Sequence, residues 1–379
     1  MMLKIRGIVA AVLALLPLSA FGHDWHNHAP HKSESRQNTS NSTKIRLPAE
    51  TRLNISTTRK IYFTNYIARP NQNAAEIAQY FNKFKNVKTR SDSNQLYIEC
   101  NAIPDHPMMI GIRNWQQQVP LPQPFTGNNA WTLPLRPKLS DNPISVRKNP
   151  MRGAIAIAVN GVPIFCALNN RGEDAYKLGE LDKWGGHCGR GDDYHYHIAP
   201  VHLEEVVGKG NPIAFALDGF PIYGYTESDG SPVGKLDQYN GQFDANGKYH
   251  YHATKTFPYV NGGLRGEVTL RGDQVEQPKD SPVRPGMPPL RGAQITDIKT
   301  KGEVRELTYT LNGRRAKIVY QPTSANGWKF TYTEANGSVR TENYERRAAR
   351  DNGRRGGPPP RGRGGPPPRG GDRNGPPRI

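Results

Sequence analysis

The tetrapeptide Tyr-His-Tyr-His occurs twice, at residues 194–197 and 249–252. Side chains of a β-strand alternate between its two faces, so each copy would place both tyrosines on one face and both histidines on the other. Neutral imidazole is a common metal ligand that suits zinc, copper, iron or nickel. If the two strands pair, cross-strand Cβ atoms lie about 4.5–5.5 Å apart, close enough for the imidazoles to share one ion. The predicted ligands are His195, His197, His250 and His252, with His187 as an auxiliary.

Three further residues are candidates to support these ligands. Asp182 and Asp237 each precede a glycine-containing turn, where a carboxylate either forms the turn or orients an imidazole. His106 follows the segment Ile-Pro-Asp and is a candidate to complete the same histidine cluster. A reading without metal stays open, in which the tyrosines fill a core and the histidines hydrogen-bond to these aspartates or to turn carbonyls.

The elements that would position these residues form an internal repeat. AVNGVPIF (158–165) matches ALDGFPIY (216–223), LDKWGGH (181–187) matches LDQYNGQ (236–242), and the tetrapeptide then recurs. Three blocks in the same order predict a duplicated unit, over about 154–200 and 212–256, with two halves related by a pseudo-twofold axis. Each copy has the pattern of a strand, a turn, a variable loop, a second turn and a strand.

These blocks and their neighbours resemble the YHYH protein family. The matching segments are CNAIPDH (100–106), NNAWTLPLRP (128–137), AVNGVPIF, GDDYHYHIAP (191–200), LDGFPIYGY (217–225) and KYHYHATKTFPYVNGGLRG (248–266). The resemblance covers roughly residues 95–270. It implies an exported protein with a duplicated domain whose biochemical function is unassigned.

Composition and the N-terminus define the class of protein. The 379 residues carry a formal charge of +18, only 35% are hydrophobic, and 39 Gly and 33 Pro are present. These values exclude a multi-span membrane protein, a coiled coil and a mostly helical bundle. Residues 1–22 have the basic start, the short apolar stretch and the small residues of an export signal. We therefore expect a periplasmic or secreted protein with no transmembrane span once it is mature.

Export permits disulfides, but the chain has only three cysteines. At most one intrachain bridge can form, and Cys166 with Cys188 is the nearer pair along the chain. We expect that pair to be the disulfide if one forms.

The remaining segments complete a mainly β, sandwich-like fold. A His-rich disordered leader is predicted at 23–44, and the YHYH domain at 45–275 with one helix near its start, where apolar residues recur at helical spacing around Tyr80. A Pro-rich linker is predicted at 276–300. A small antiparallel meander follows at 301–345, with Asn-Gly hairpin turns between alternating strands. Residues 346–379 hold ten Arg among Gly and Pro, and they are predicted to be a disordered basic tail.

Two functions remain open at this stage. One is a transition-metal site for zinc, copper or iron, with catalysis undecided. The other is a structural or adhesive module without metal, whose basic tail contacts anionic envelope polymers or a membrane surface. Export disfavours nucleic acid as the tail's partner.

Overall fold

The computed structural model describes residues 72–147 and 151–346. The predicted export signal (1–22), the leader (23–44) and the tail beyond Arg346 lie outside the described residues. Within the described ranges the chain is mainly β, and no helix there is both long enough and apolar enough to cross a membrane. The predicted fold class is therefore confirmed.

The N-terminal part begins with the one helix that the apolar spacing predicts. Helix α1 spans Ala74–Phe81, begins where the Asn73 side chain accepts a hydrogen bond from the Ala75 N–H at 3.0 Å, and buries Ile77 and Phe81. A three-stranded antiparallel sheet follows. Its strands are β1 (Lys88–Ser91), β2 (Gln95–Glu99) and β3 (Trp131–Pro134), and β4 (Leu139–Ser145) lies next in the chain.

The two repeats lie side by side in one eight-stranded sheet. The first repeat supplies β5 (Ala154–Ala158), β6 (Pro163–Phe165), β7 (Gly186–Cys188) and β8 (Tyr194–Tyr196). The second supplies β9 (Ala214–Ala216), β10 (Pro221–Tyr223), β11 (Gly241–Phe243) and β12 (Tyr249–His252). The short helix α2 (Glu204–Val207) lies between the repeats in the chain.

The order of the strands is the same read from either edge of this sheet. It runs β11-β12-β10-β9-β5-β6-β8-β7, so each strand of one repeat has its counterpart at the mirrored position. The central pair, β5 and β9, is antiparallel, with Ile157 opposite Phe215 and alanines paired on either side. Ile157 and Phe215 are themselves equivalent residues, 58 apart. The pseudo-twofold axis therefore passes through this pair.

A second β region follows the eight-stranded sheet in the chain. Strand β13 (Gly263–Gly266) pairs with β4, and β14 (Leu270–Arg271) pairs with β15 (Gln274–Val275). The predicted meander is a five-stranded antiparallel sheet in sequential order. Its strands are β16 (Ala293–Lys301), β17 (Val304–Leu311), β18 (Arg314–Pro322), β19 (Gly327–Thr333) and β20 (Val339–Glu345).

The meander begins at Ala293, eight residues before the predicted boundary at 301. Ala293 and Ile295 are buried, and they extend the alternating pattern into the segment that was assigned to the linker. The Pro-rich segment before it is not a free spacer, because Val283 and Arg284 within it are also buried.

Arg284 joins the Pro-rich segment to both sheets. Its guanidinium binds Asp192 through two hydrogen bonds of 2.8 Å, and both side chains are almost fully buried. It also donates to the Tyr332 hydroxyl at 3.3 Å and lies over the Phe330 ring, so it contacts strand β19 of the meander. Asp192 immediately precedes the Asp-Tyr that leads into β8. The ion pair therefore holds the entrance to the first tetrapeptide strand against the meander.

We expect Arg284→Met to lower the free energy of unfolding by about 3–5 kcal/mol, because it leaves the Asp192 carboxylate buried without its partner. Urea unfolding measures the change. The double variant Arg284→Met/Asp192→Asn should recover part of the loss.

Lys299→Met is the matched control, since Lys299 and Asp297 form an exposed pair whose loss should cost less than about 1 kcal/mol. If the Arg284 variant costs no more than this control, the buried pair does not hold the meander to the central sheet.

Candidate metal centres

The two tetrapeptide strands alternate as predicted, and both of their faces are covered. In the first tetrapeptide, which comprises β8 and the following His197, Tyr194 and Tyr196 are fully buried on one side, and His195 and His197 are buried on the other. The β12 residues repeat this pattern. The tyrosine and histidine side chains of the two tetrapeptides are therefore shielded from bulk water, and their polar atoms need partners within the protein.

The first tyrosine of each strand binds the aspartate of the preceding turn. The Tyr194 hydroxyl donates to Asp182 and the Tyr249 hydroxyl donates to Asp237, each at 2.8 Å. The same carboxylates accept backbone N–H groups of their own turns. The hydrogen bonds of both aspartates go to tyrosine hydroxyls and backbone N–H groups. Their expected role in orienting an imidazole is replaced by a role on the tyrosine face.

The second tyrosine of each strand binds the residue before the glycine of the first turn. Tyr196 accepts from the Asn160 amide at 3.0 Å, and Tyr251 donates to the Asp218 carboxylate at 2.5 Å. His106 joins this face, because its Nε2 lies 2.7 Å from the Tyr196 hydroxyl. Since tyrosines and histidines point to opposite sides of the strand, His106 does not complete the predicted histidine cluster.

The first repeat brings together three histidines from two strands. His187 on β7 lies directly opposite His195 on β8, and His197 directly follows β8. The Nε2 of His197 is 3.2 Å from that of His195 and 3.1 Å from that of His187. We call this group the three-histidine cluster. His187 was predicted as an auxiliary ligand, and it is a full member.

Backbone carbonyls determine which nitrogen of these rings carries the proton. The Nδ1 of His195 is 3.0 Å from the Asp193 carbonyl, and the Nδ1 of His197 is 2.6 Å from the Cys166 carbonyl. A carbonyl oxygen can only accept, so each Nδ1 donates and, in a neutral ring, each Nε2 keeps a lone pair. These lone pairs point at one another, and no hydrogen bond can form between two acceptors.

Burial disfavours the charged form of two of these rings. Burial, reinforced by the neighbouring His195 ring, lowers the pKa of His187 to about 3. Burial and the same neighbouring rings lower the pKa of His197 well below its ordinary value. A cation other than the proton would satisfy all three nitrogens together.

The spacing of the nitrogens suits such a cation. Ligands held 2.0–2.1 Å from one zinc ion at tetrahedral angles lie about 3.3–3.4 Å apart, and at right angles about 2.9 Å apart. The observed separations of 3.1 and 3.2 Å fall between these values. Phe165 stacks on His195 at 3.8 Å and covers one side, whereas His187 is only half-buried. The cluster is therefore open toward His187.

The second repeat forms a different group around its own tetrapeptide. The Nε2 atoms of His250 and His252 lie 3.5 and 3.4 Å from the same carboxylate oxygen of Glu227, Oε2. Gln242, the counterpart of His187, donates a short hydrogen bond to the other carboxylate oxygen, Oε1. We call Glu227, His250 and His252 the carboxylate cluster. Its three ligand atoms, like those of the three-histidine cluster, lie within 4.8 Å of one another.

Glu227 was missed in the sequence, although the repeat contains a signal for it. Glu227 is equivalent to Asn169 at the offset of 58, and both begin a small loop closed by an isolated bridge. The bridges are Leu168–Asp174 and Thr226–Pro232. An alignment of the two loops at this offset pairs the Glu227 carboxylate with the Asn169 amide. This difference in charge between equivalent positions is the signal in the sequence.

The predicted single site for both strands is wrong. Four strands lie between β8 and β12 in the sheet, which puts the two strands roughly 24 Å apart at the usual spacing. One ion cannot reach His195 and His250 together with bonds near 2 Å. The prediction assumed that equivalent strands pair, but β5 and β9 form the central pair instead. Each tetrapeptide therefore has its own cluster.

The expected disulfide is also absent, because all three cysteines are free and buried. Cys166 follows β6, and Cys188 lies on β7, with β8 between them. Strands two places apart are separated by roughly 9–10 Å, beyond the Cα separation of up to about 6.8 Å that a disulfide spans. Nearness along the chain does not place these residues on neighbouring strands.

Comparison with known protein families gives a match to the central part of the chain. Residues 130–232 match a family model described as YHYH protein, which confirms the resemblance indicated by the sequence motifs. The matched segment contains the whole three-histidine cluster and Glu227, whereas His250 and His252 lie beyond it. No curated protein and no solved structure matches the chain.

The tyrosine face leads to a prediction for pH dependence. Burial raises the pKa of Asp218 from 3.8 to about 6. The folded state thus favours neutral Asp218, and this stabilisation is complete below about pH 4 and is lost as the pH rises through 6. We expect the stability of the wild type, relative to Asp218→Asn, to fall by about 3 kcal/mol between pH 4 and pH 8. Urea unfolding across this range measures it.

Asp229→Asn is the control, because hydrogen bonds from Ser231 lower the pKa of that exposed carboxylate. Because that pKa lies below 3.8, its difference from the wild type should change mainly below pH 4 and stay nearly constant between pH 4 and pH 8. A wild-type stability that rises with pH relative to Asp218→Asn would contradict the assignment of a raised pKa.

Proposed function

We propose that this chain is an exported metal-binding protein whose first repeat holds one transition-metal ion at His187, His195 and His197. The observation that carries the proposal is that the Nε2 of His197 lies 3.1 and 3.2 Å from the Nε2 atoms of His187 and His195, while carbonyls occupy the Nδ1 atoms of His195 and His197. Backbone acceptors on the far side of a metal-bound imidazole are the usual means of fixing its tautomer.

The alternative of purely structural histidines accounts less well for this arrangement. A packed histidine normally uses both ring nitrogens with complementary partners. Here the two nearest ring nitrogens to His197 Nε2 are the Nε2 atoms of His195 and His187. Burial disfavours the charged forms of His187 and His197. With neutral rings, metal-free packing would leave the Nε2 lone pairs of His195 and His197 against each other.

The ligand set narrows the class of ion. Three neutral imidazoles suit zinc, copper or iron and add no negative charge to the ion. A three-histidine set also leaves a coordination position free for water or a substrate, as in catalytic zinc sites. The half-buried edge of His187 is where that position would meet solvent. The proposal is metal binding, and it assigns no reaction.

Export is part of the proposal and is supported by the composition of residues 1–22. The basic segment 346–379, with ten Arg and two Asp among its residues, suits contact with anionic envelope polymers or a membrane surface. Such contact would hold the metal-binding domain at the envelope, and it would weaken as salt is raised.

Metal binding by the three-histidine cluster is tested by the variant His187→Gln, which installs the residue found at the same position of the second repeat. We expect at least a 10- to 100-fold rise in the Kd for Zn(II), because one ligand is lost while the strand keeps a side chain it tolerates. Elemental analysis and competition with a chelator of known affinity measure the change. His195→Ala/His197→Ala should lose this metal entirely.

The experiment uses the full chain with His23, His26, His28 and His31 changed to Ala, so that leader histidines do not add metal. His202→Gln, a histidine outside both clusters, is the control. If the wild type neither binds Zn, Cu or Fe nor gains stability from them, while folding normally, the proposal fails. The structural or adhesive envelope module would then be the favoured function.

A further inference from the structure

We propose that the second repeat holds a second metal ion, bound by Glu227, His250 and His252, and that its ligand charge gives it a different metal preference. The geometry is independent of the first repeat. One carboxylate oxygen, Oε2 of Glu227, lies 3.5 and 3.4 Å from the two imidazole Nε2 atoms. These separations are close to those of ligands about 2.0–2.1 Å from a shared ion.

The imidazoles are oriented as in the first repeat. The Nδ1 of His252 lies 3.1 Å from the Gly224 carbonyl, and the Nδ1 of His250 lies 3.4 Å from the Lys248 carbonyl. These acceptors are the counterparts of Cys166 and Asp193, at the same offsets as the rest of the repeat. In a neutral ring, the bond to Gly224 leaves the Nε2 of His252 unprotonated and facing the Glu227 carboxylate. The longer contact of His250 gives its ring the same orientation.

Gln242 acts as a positioning residue for that carboxylate. Its amide N–H donates to Oε1 of Glu227, which leaves Oε2 facing the two histidines. The same amide nitrogen is 3.5 and 3.4 Å from the His250 and His252 Nε2 atoms. That is longer than the usual range of about 2.7–3.2 Å for a protein hydrogen bond, so the amide only weakly satisfies the imidazoles.

The two repeats have exchanged the position that supplies the third ligand. In the first repeat, the strand position carries His187 and the loop position carries Asn169. In the second repeat, the strand position carries Gln242 and the loop position carries Glu227. Each repeat thus has one side chain able to bind a metal and one amide across these two positions. If these side chains only packed against one another, the loss of a ligand at one position would not need to be matched by the gain of a ligand at the other.

The exchange changes the charge of the site. The three-histidine cluster is neutral, whereas the carboxylate cluster brings one negative charge and an oxygen ligand. Two histidines with one carboxylate suit Zn(II), Fe(II) or Mn(II), and oxygen ligands shift preference toward harder ions such as Mn(II). The ratio of Mn(II) affinity to Zn(II) affinity should therefore be higher at the second site than at the first. Glu227 is half-buried, so the site meets solvent on the loop side.

The test uses the full chain in which the leader histidines, His195 and His197 are all changed to Ala, so that only the second site remains. We call this variant the background chain. We expect about one equivalent of Zn(II) per chain in this background, and we expect Mn(II) binding detectable by electron paramagnetic resonance. Glu227→Gln should weaken both by at least about 10- to 100-fold. Glu205→Gln, which removes an exposed carboxylate elsewhere, should change neither.

The decisive variant is Glu227→Asn/Gln242→His, which places the pair found in the first repeat at the two positions of the second. It should retain Zn(II) and lose Mn(II), because a third imidazole replaces the carboxylate. The exchanged pair already occurs in an equivalent backbone, so circular dichroism should show a folded protein.

The outcomes separate this inference from the proposed function. If metal remains in the background and Glu227→Gln removes it, the second site stands, whatever the first site does. If the background chain binds no metal, or if Glu227→Gln leaves its affinity unchanged, the second site is overturned while the three-histidine site is unaffected. A Mn(II)-to-Zn(II) ratio unchanged by the exchange would overturn the assigned preference.

Discussion

The antiparallel pairing of β5 with β9 determines where everything else in the central sheet lies. It places Ile157 opposite its own equivalent, Phe215, and it makes the two repeats extend outward in opposite directions. Alanines beside this pair, at positions such as Ala156 and Ala216, are fully buried and let both faces of the sheet be covered closely. Because the repeats grow away from the axis, their tetrapeptide strands end near opposite edges. Two clusters, rather than one shared site, follow from this pairing.

Within each repeat, the tyrosines bind neighbouring turns on one face of the strand, and the histidines form the cluster on the other face. The Tyr194 hydroxyl binds the turn aspartate Asp182, and this bond ties the strand to the turn that carries His187 on its far end. Gly186 opposite this strand has no side chain, and a Cβ there would overlap the tyrosine ring. The same relation holds at Gly241 and Tyr249. The tyrosine face thus fixes the separation of β7 from β8 and of β11 from β12, on which the spacing of the imidazoles depends.

Local features of this arrangement were predictable, and the long-range ones were not. Alternation along the tetrapeptide, the helix near Tyr80 and the meander follow from periodicities of 2 and 3.6 residues, which act over neighbouring positions. The order of strands depends on which edges pair, and repeats that are alike in sequence can pair in several ways. The shared site and the Cys166–Cys188 bridge both failed for that reason. Glu227 was not predicted because a single carboxylate in a polar loop has no distinguishing sequence pattern. Only the fold brings it close to His250 and His252.

The repeats also differ in the residues that anchor the turn before each tetrapeptide strand. Asp192 adopts a left-handed conformation at the turn before β8, with φ of 58°, and the equivalent residue before β12 is Gly247, with φ of 69°. Glycine accepts this conformation freely, whereas aspartate does so at some cost. In the first repeat that cost is offset by the bonds from Asp192 to Arg284 and to the Val119 N–H.

The first cluster is therefore fastened to the Pro-rich segment and the meander. The second is fastened elsewhere, because Tyr251 accepts from the Arg265 N–H on β13 and the turn residue Asn240 accepts from the Arg147 guanidinium. A rigid frame suits three neutral imidazoles, whose lone pairs repel one another unless an ion holds them together. The second cluster has less internal repulsion, because its carboxylate receives a hydrogen bond from Gln242 and would attract a cation. The repeats thus differ both in the third ligand and in the segments that anchor them.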